Sequence, residues 1–212
     1  MKNYKQKLSE LMEADKFVEA LAECGKALRE NPDDSEIIEK VRYMHQRIQD
    51  AHIELNPCTA EEFTMLGIAH FYAQDLELSI YNYTKAIELD PTFDYAFKSR
   101  HISYAASGKI NESLRDIAKA IELNPTCGMY YFDCANLLHY LPDKKNQTLQ
   151  YYLEAVNLEP SNFMFWYNFG IELEEQNYLK DAINKYKKVL ELSPQFIDAQ
   201  IRIDRINALL NN

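Results

Sequence analysis

Glu172, Glu174 and Glu175 place three carboxylates on one short stretch, and five histidines and four cysteines are spread along the 212-residue chain. Paired carboxylates hydrolyse a glycosidic bond only when they face each other across a bound substrate. Three on a single helix cannot do so alone, and a solvated or groove-lining face is the simpler reading. The histidines show no metal-binding spacing. His45 and His52 are seven residues apart, two helical turns and too far to hold one ion together, while His70, His101 and His139 fall in three separate segments. Cys24, Cys58, Cys127 and Cys134 have no CxxC spacing, so reduced thiols are expected rather than disulfides or a metal site. There is neither a GxGxxG nor a GxxxxGK[ST] to cradle phosphate. The residues therefore predict no catalytic centre, no metal and no cofactor.

Composition narrows the partners. A content of 47% hydrophobic and 26% charged residues is that of an ordinary folded protein. The net charge of -10 repels polyphosphates, and residues 94–127, the least acidic segment at +1, form no basic stripe. Nucleic acid and anionic membrane surfaces are thus poor partners. The segment MKNYKQKLSELMEADKF lacks the apolar run of a signal peptide, and no later run approaches the roughly 18 apolar residues of a membrane span. A cytoplasmic location is the expectation.

What must position any site is a repeat. Helix-like runs stop at Pro57, Pro91, Pro125, Pro160 and Pro194, at intervals of 34, 34, 35 and 34 residues. Within each interval apolar residues recur three and four apart in two bursts, broken by short polar turns such as Gln74-Asp75 and Ser107-Gly108-Lys109, so each unit reads as two helices. Thr59 and Glu62 form a capping-box pattern at one start. Proline lacks an amide hydrogen and disfavours helix in the residue before it, so the chain must turn back there. One 34-residue hairpin cannot bury its own apolar face, whereas stacked hairpins bury a continuous core and form a solenoid. Large residues (Phe63, Phe97, Tyr131, Trp166) recur early in the first helices, and small ones (Ala86, Ala120, Ala155, Val189) late in the second.

In WYNFGIELEEQNYLKDAINKYKKVLELSP, the residues Trp166, Phe169, Gly170, Leu173, Ala182, Tyr186 and Pro194 resemble the tetratricopeptide repeat family. Phe63, Leu66, Gly67, Tyr83, Ala86 and Pro91 carry the same resemblance, and the two copies between keep the spacing. The resemblance implies an all-α, right-handed α-solenoid of stacked antiparallel helix pairs with a C-terminal capping helix. Four repeats are expected over 58–195, at about 60–93, 94–127, 128–162 and 163–196. Residues 1–34 read as a degenerate hairpin with Tyr4, Leu8, Leu11, Ala20, Ala27 and Pro32 in register, and 196–212 as the cap. Residues 35–57 leave room for one bridging helix, whose seam of Ile37, Val41, Met44, Ile48, Ala51 and Leu55 packs internally or on a partner. Two departures stand out: Arg100-His101 replaces a leucine and a small residue, which predicts a wider helix crossing, and one repeat has an extra residue near Leu141–Gln147.

The resemblance also implies that first helices line a concave groove for peptides or partner helices. By register the groove takes Thr64, Met65 and Ile68, then Tyr95, Lys98, Ser99 and Ile102, then Met129, Phe132, Asp133, Asn136 and His139, then Met164, Tyr167, Asn168, Ile171, Glu174 and Glu175. The partner-binding residues expected among these are Tyr95, Lys98, Ile102, Phe132, Asn136, His139, Tyr167, Asn168, Ile171 and Glu174. Family members that grip a terminal carboxylate use lysines and asparagines where this chain has Lys98, Ile102, Asp133, Met164 and Asn168, so chaperone C-terminal tails are disfavoured. An apolar or basic protein segment fits better, with Glu174 and Glu175 facing its cations. The expected function is a non-catalytic protein-interaction scaffold. Two alternatives are an architectural subunit, a homodimer included, that associates through the 37–55 helix or the C-terminal helix, and a chaperone for apolar cargo segments.

Overall fold

A computed structural model describes residues 7–8, 10–12, 16–31, 34–50, 55 and 57–210. Tyr4, Pro32 and Ala51 of the expected N-terminal pattern lie outside the described residues. The described residues are helical, with turns between and no strand among them. They divide into two compact units, residues 1–123 and 124–212.

The first unit contains α1 (Phe17–Glu30), α2 (Ser35–Asp50), α3 (Ala60–Tyr72), α4 (Leu76–Leu89), α5 (Asp94–Ala106) and α6 (Ile110–Leu123), after helical residues at 7–8 and 10–12. The capping box at α3 is formed: Glu62 N–H donates to Thr59 Oγ1 at 3.1 Å, and the Thr59 and Cys58 amides donate to the Glu62 carboxylate. The Cys58 and Thr59 amides hold Glu62 below the usual carboxylate range. Asp75 caps α4 by accepting from Leu78 N–H, and Gln74 before it takes a left-handed φ of 66° to turn the chain. In the second unit the helices are α7 (Gly128–His139), α8 (Lys145–Leu158), α9 (Phe163–Glu175), α10 (Leu179–Leu192) and α11 (Ile197–Leu210). The extra residue of the 35-residue copy is absorbed in a 3-10 turn at Pro142–Lys144.

In two of the hairpins a glycine on the first helix meets a tyrosine ring on the second. A Cβ added to Gly67 would lie 2.5 Å from the Tyr83 ring, and one on Gly170 would lie 2.5 Å from Tyr186. Ala135 and Tyr152, both buried, occupy the same register in α7 and α8. The hairpin that departs from this pattern inverts it, with His101 on α5 and Ile117 on α6 at the two positions. His101 Nδ1 lies 2.8 Å from Ser113 Oγ, which itself donates to the His101 carbonyl at 2.9 Å, and burial pushes the imidazole down to about 4, so it is neutral. Arg100 makes a forked ion pair with buried Asp116 at 2.7 and 2.8 Å and a third bond to Thr84. The bulky pair expected to widen the crossing is thus matched by a smaller opposite residue and by satisfied hydrogen bonds. The turns are closed alike: Tyr131 donates its hydroxyl to the Pro125 carbonyl and Trp166 its indole N–H to Pro160.

The N-terminal part of the first unit is irregular. α1 packs along α3 and against α2, and α2 in turn touches both. The approach of α1 to α3 is close enough that a Cβ on Gly25 would sit 2.5 Å from the Met65 carbonyl oxygen, which is backbone and cannot yield cheaply. The seam residues Ile37, Val41 and Met44 are fully buried in one cluster with Leu8, Phe17, Leu21, Leu28 and Met65. The described part of that seam is therefore covered by its own chain, not offered to a second copy.

Gly67→Ala should destabilise the protein by about 1–3 kcal/mol in chemical denaturation, because the new methyl overpacks the Tyr83 ring. The same change in a Tyr83→Ile background should cost less than about 1 kcal/mol, and equal penalties in both backgrounds would reject the size pairing.

Candidate functional site

The first helices build two separate recesses, one in each unit. In the first unit a recess of about 130 Å³ is lined by Leu28, Ile68, Phe71, Tyr72, Tyr83, Tyr95, Lys98, Ser99 and Ile102. Tyr95, Lys98, Ser99 and Ile102 come together here as the register required, with the Lys98 ammonium 5.9 Å from the Tyr95 ring centre. Thr64 and Met65 do not line this recess: both are fully buried, because α1 lies against α3, and only Ile68 of the three expected from this helix reaches its wall. Leu28, reaching in from α1, was missing from the sequence reading, since nothing in its local pattern ties it to a helix some forty residues onward.

In the second unit a larger recess of about 380 Å³ is lined by Asn136, His139, Tyr140, Tyr152, Asn168 and Ile171. α7 presents Asn136 and His139 at successive turns and α9 presents Asn168 and Ile171, so the two helices form its walls. Tyr152 donates to Asn136 Oδ1 at 2.7 Å, which orients the amide with its NH2 group remaining as a donor. His139 Nδ1 lies 2.6 Å from Oε2 of buried Glu172, whose other oxygen accepts from Gln176 Nε2. The second imidazole nitrogen is 3.7 Å from Glu175, a carboxylate 58% exposed. The wall is therefore polar, anionic at one edge and apolar at Ile171.

Three of the ten expected groove residues have structural work instead. Phe132 stacks on Phe165 at 4.5 Å between ring centres and edges against Tyr152. Tyr167 lies under the Arg202 guanidinium, accepts from Arg202 Nε at 3.1 Å and packs edge-on against Phe196. Glu174 accepts from Tyr186, Arg202 and Arg205. Burial pushes this carboxyl up, but the bonds from Tyr186, Arg205 and Arg202 outweigh it and leave Glu174 below the usual carboxylate range. The expectation that Glu174 faces a partner's cations is corrected: the two arginines of α11 already occupy it, and Glu175 is the exposed acid of the pair. Sequence reasoning missed Arg202 and Arg205 because their partner lies some thirty residues upstream on a different helix.

The cysteines and histidines also acquire definite places. Burial pushes Cys24 and Cys134 up to about 12, so both are protonated packing residues. The reading that no histidines assemble is corrected, because His45 on α2 and His70 on α3 meet with their Nδ1 atoms 3.1 Å apart.

The family pattern described as "tetratricopeptide repeat" matches residues 165–196. A stretch of 70 residues, 33% of the chain, is 29% identical to the peroxisomal targeting signal receptors of Candida glabrata and Saccharomyces cerevisiae, and spans only 12% and 11% of those proteins. Among solved structures the chain is similar to YrrB, described as a TPR protein with an unusual peptide-binding site, with 21% identity, 79% and 84% of the two chains covered and a TM-score of 0.61. It is similar to TTC0263, a thermophilic TPR protein of Thermus thermophilus, with 16% identity, 98% of each chain covered and a TM-score of 0.62.

Glu174→Gln should loosen α11, raising amide hydrogen exchange over residues 197–210 while α7 and α8 keep their protection. Unchanged exchange in α11 would show that apolar contacts alone hold it. Residues 165–196 thus carry a tetratricopeptide repeat, and the paired helices of the chain share the fold of these solved tetratricopeptide repeat structures.

Proposed function

We propose that the protein is a non-catalytic interaction scaffold that holds an extended or helical segment of another protein against its first helices. The observation that carries this reading is the recess of the second unit. Asn136 and Asn168 offer amides to a peptide backbone, Ile171 and Tyr152 offer apolar surface, and Glu175 leaves one edge negative. The similarity to a structure described as having a peptide-binding site, and to receptors for a targeting signal, supports a protein segment as the ligand. The net charge of -10 and the exposed Glu175 favour a segment with a basic residue beside an apolar one.

The placements of Phe132, Tyr167 and Glu174 decide how the reading is tested, since truncating any of them disturbs the fold and the site together. Peptides enriched against the purified chain from a random display library, measured by fluorescence anisotropy, should lose about tenfold or more in affinity to Asn168→Arg, with melting unchanged; tenfold corresponds to about 1.4 kcal/mol. Enriched peptides that bind this variant as tightly as the native chain would refute the recess.

One observation favours a second, architectural reading. α11 buries Ala199, Ile203 and Ile206 but leaves Ile197 71%, Ile201 57% and Leu209 61% exposed, an apolar surface of the kind that marks an interface. If this face joins two copies, light scattering at micromolar concentration should report a dimer that Ile201→Glu converts to monomer. A native monomer there would reject it. No described helix is long and apolar enough to cross a membrane.

A further inference from the structure

Outside both recesses, three groups from three elements converge: His45 from α2, His70 from α3 and Asp75 from the cap of α4. The His45 and His70 Nδ1 atoms are 3.1 Å apart, and His45 Nε2 is 3.4 Å from Asp75 Oδ2. One donor atom from each residue lies within 4.8 Å of the others. We propose that His45, His70 and Asp75 form a binding site for a first-row divalent cation of the Zn²⁺ type, which clamps α2 to the first repeat.

The donor set decides the class of ion. Two imidazoles and one carboxylate suit Zn²⁺ and its neighbours, whereas Ca²⁺ and Mg²⁺ take oxygen ligands. Donors about 2.0–2.2 Å from a tetrahedral zinc are roughly 3.3 Å from one another; here the 3.1 and 3.4 Å separations run to different nitrogens of His45, and with one donor atom taken from each residue all three lie within 4.8 Å, so the set must tighten a little around an ion. The ring centres are 5.1 Å apart while the nitrogens are only 3.1 Å apart, so the rings meet nitrogen first. A modest rotation of His45 then aims one of its nitrogens and the His70 nitrogen at a common point. The Asp75 carboxylate is already oriented, since its Oδ1 accepts from Leu78 N–H at 3.0 Å and it is Oδ2 that lies toward His45. His70 is buried, and the His45 and Asp75 side chains are 15% and 25% exposed, which gives an ion a route in. Three protein donors leave a fourth position for water.

The grouping of His139, Glu172 and Glu175 has similar composition but a different state. There the short bond between His139 Nδ1 and Glu172 Oε2 already joins the imidazole to a carboxylate, and a cation held by that oxygen would have to displace it.

The site also has a structural rationale. α2 lies outside the 34-residue period and has no repeat partner to stack on, so a bond from His45 to α3 and α4 fixes it where periodic packing does not. An ion that binds only the folded form raises stability with its concentration.

The purified full chain, stripped with chelator, should bind one Co²⁺ with the visible absorption of a four-coordinate site, and Zn²⁺ should displace it and raise the melting temperature. His45→Ala should weaken Zn²⁺ by at least about tenfold and abolish the shift. Asp75→Asn, which keeps an oxygen to cap α4, should weaken it while preserving helicity. His139→Ala should leave the Co²⁺ band and the Zn²⁺ shift as in the native chain. Absence of both the Co²⁺ band and the Zn²⁺ shift in the native chain, or a response lost in His139→Ala but kept in His45→Ala and Asp75→Asn, would overturn the proposal and leave His45 and His70 as a hydrogen-bonded pair.

Discussion

The combined size of the two residues that meet between the helices of a hairpin, a glycine against a tyrosine ring in α3–α4 and α9–α10, is the constraint from which the rest of the structure follows. Gly67 against Tyr83 and Gly170 against Tyr186 bring the two backbones of a hairpin within reach of a single aromatic layer. The same layer reaches both recesses, since Tyr83 lines the first and Tyr152 the second. The hairpin of α5 and α6 shows that the constraint is on the sum of the two sizes and not on the glycine. His101 is accepted because Ile117 stands where tyrosine stands elsewhere and because Ser113 satisfies its ring nitrogen. Its neighbour Arg100, in place of a leucine, brings a buried counter-charge with it in Asp116.

The first unit puts the free side of one first helix to a different use. All seven residues from Thr64 to His70 are buried, which a helix in a regular hairpin stack does not manage. The cause is α1, which approaches so closely that Gly25 has no room for a side chain beside the Met65 backbone. The side of α3 that the register assigns to a groove is filled here by the protein itself. The smaller recess survives at the border of that filling, where Leu28 of α1 meets Tyr95 and Ile102 of α5. Stability of the N-terminal region and access to the first recess are therefore set by the same contact.

Much of this was legible in the sequence, and the limits follow range. The hairpins and the Thr59–Glu62 cap depend on residues close in sequence, and the period on a recurring proline, so register alone decides them, whereas the Gly-to-Tyr contacts emerged only from the structure. Tyr95, Lys98 and Ile102, and likewise Asn136, His139, Asn168 and Ile171, were placed by the same register. What failed depends on contacts between segments with no common period. His45 and His70 are 25 positions apart, with an irregular connection between them, and Arg202 reaches back 28 positions to Glu174. An acidic stretch such as Glu172, Glu174 and Glu175 looks uniform in sequence, yet one member is buried against His139, one is held by two arginines and one faces solvent.

That division among three neighbouring glutamates bears on how function in such a protein can be argued at all. Register assigns a residue to a face, but a face is shared between packing and binding, and only the partners of each side chain separate the two. Phe132 and Tyr167 are aromatic and on the proper face, and for that reason alone they resemble anchors for a ligand. Phe165 and Arg202 claim them first. Asn168 and Ile171 are less conspicuous in the sequence, yet they border a recess large enough for a peptide side chain. Loss of binding on truncating an aromatic residue here would report on the fold as much as on the site, whereas loss from filling the recess at Asn168 reports on the site. The residues that carry recognition in this chain are thus to be sought among those its own packing leaves unclaimed, not among the largest side chains on the expected face.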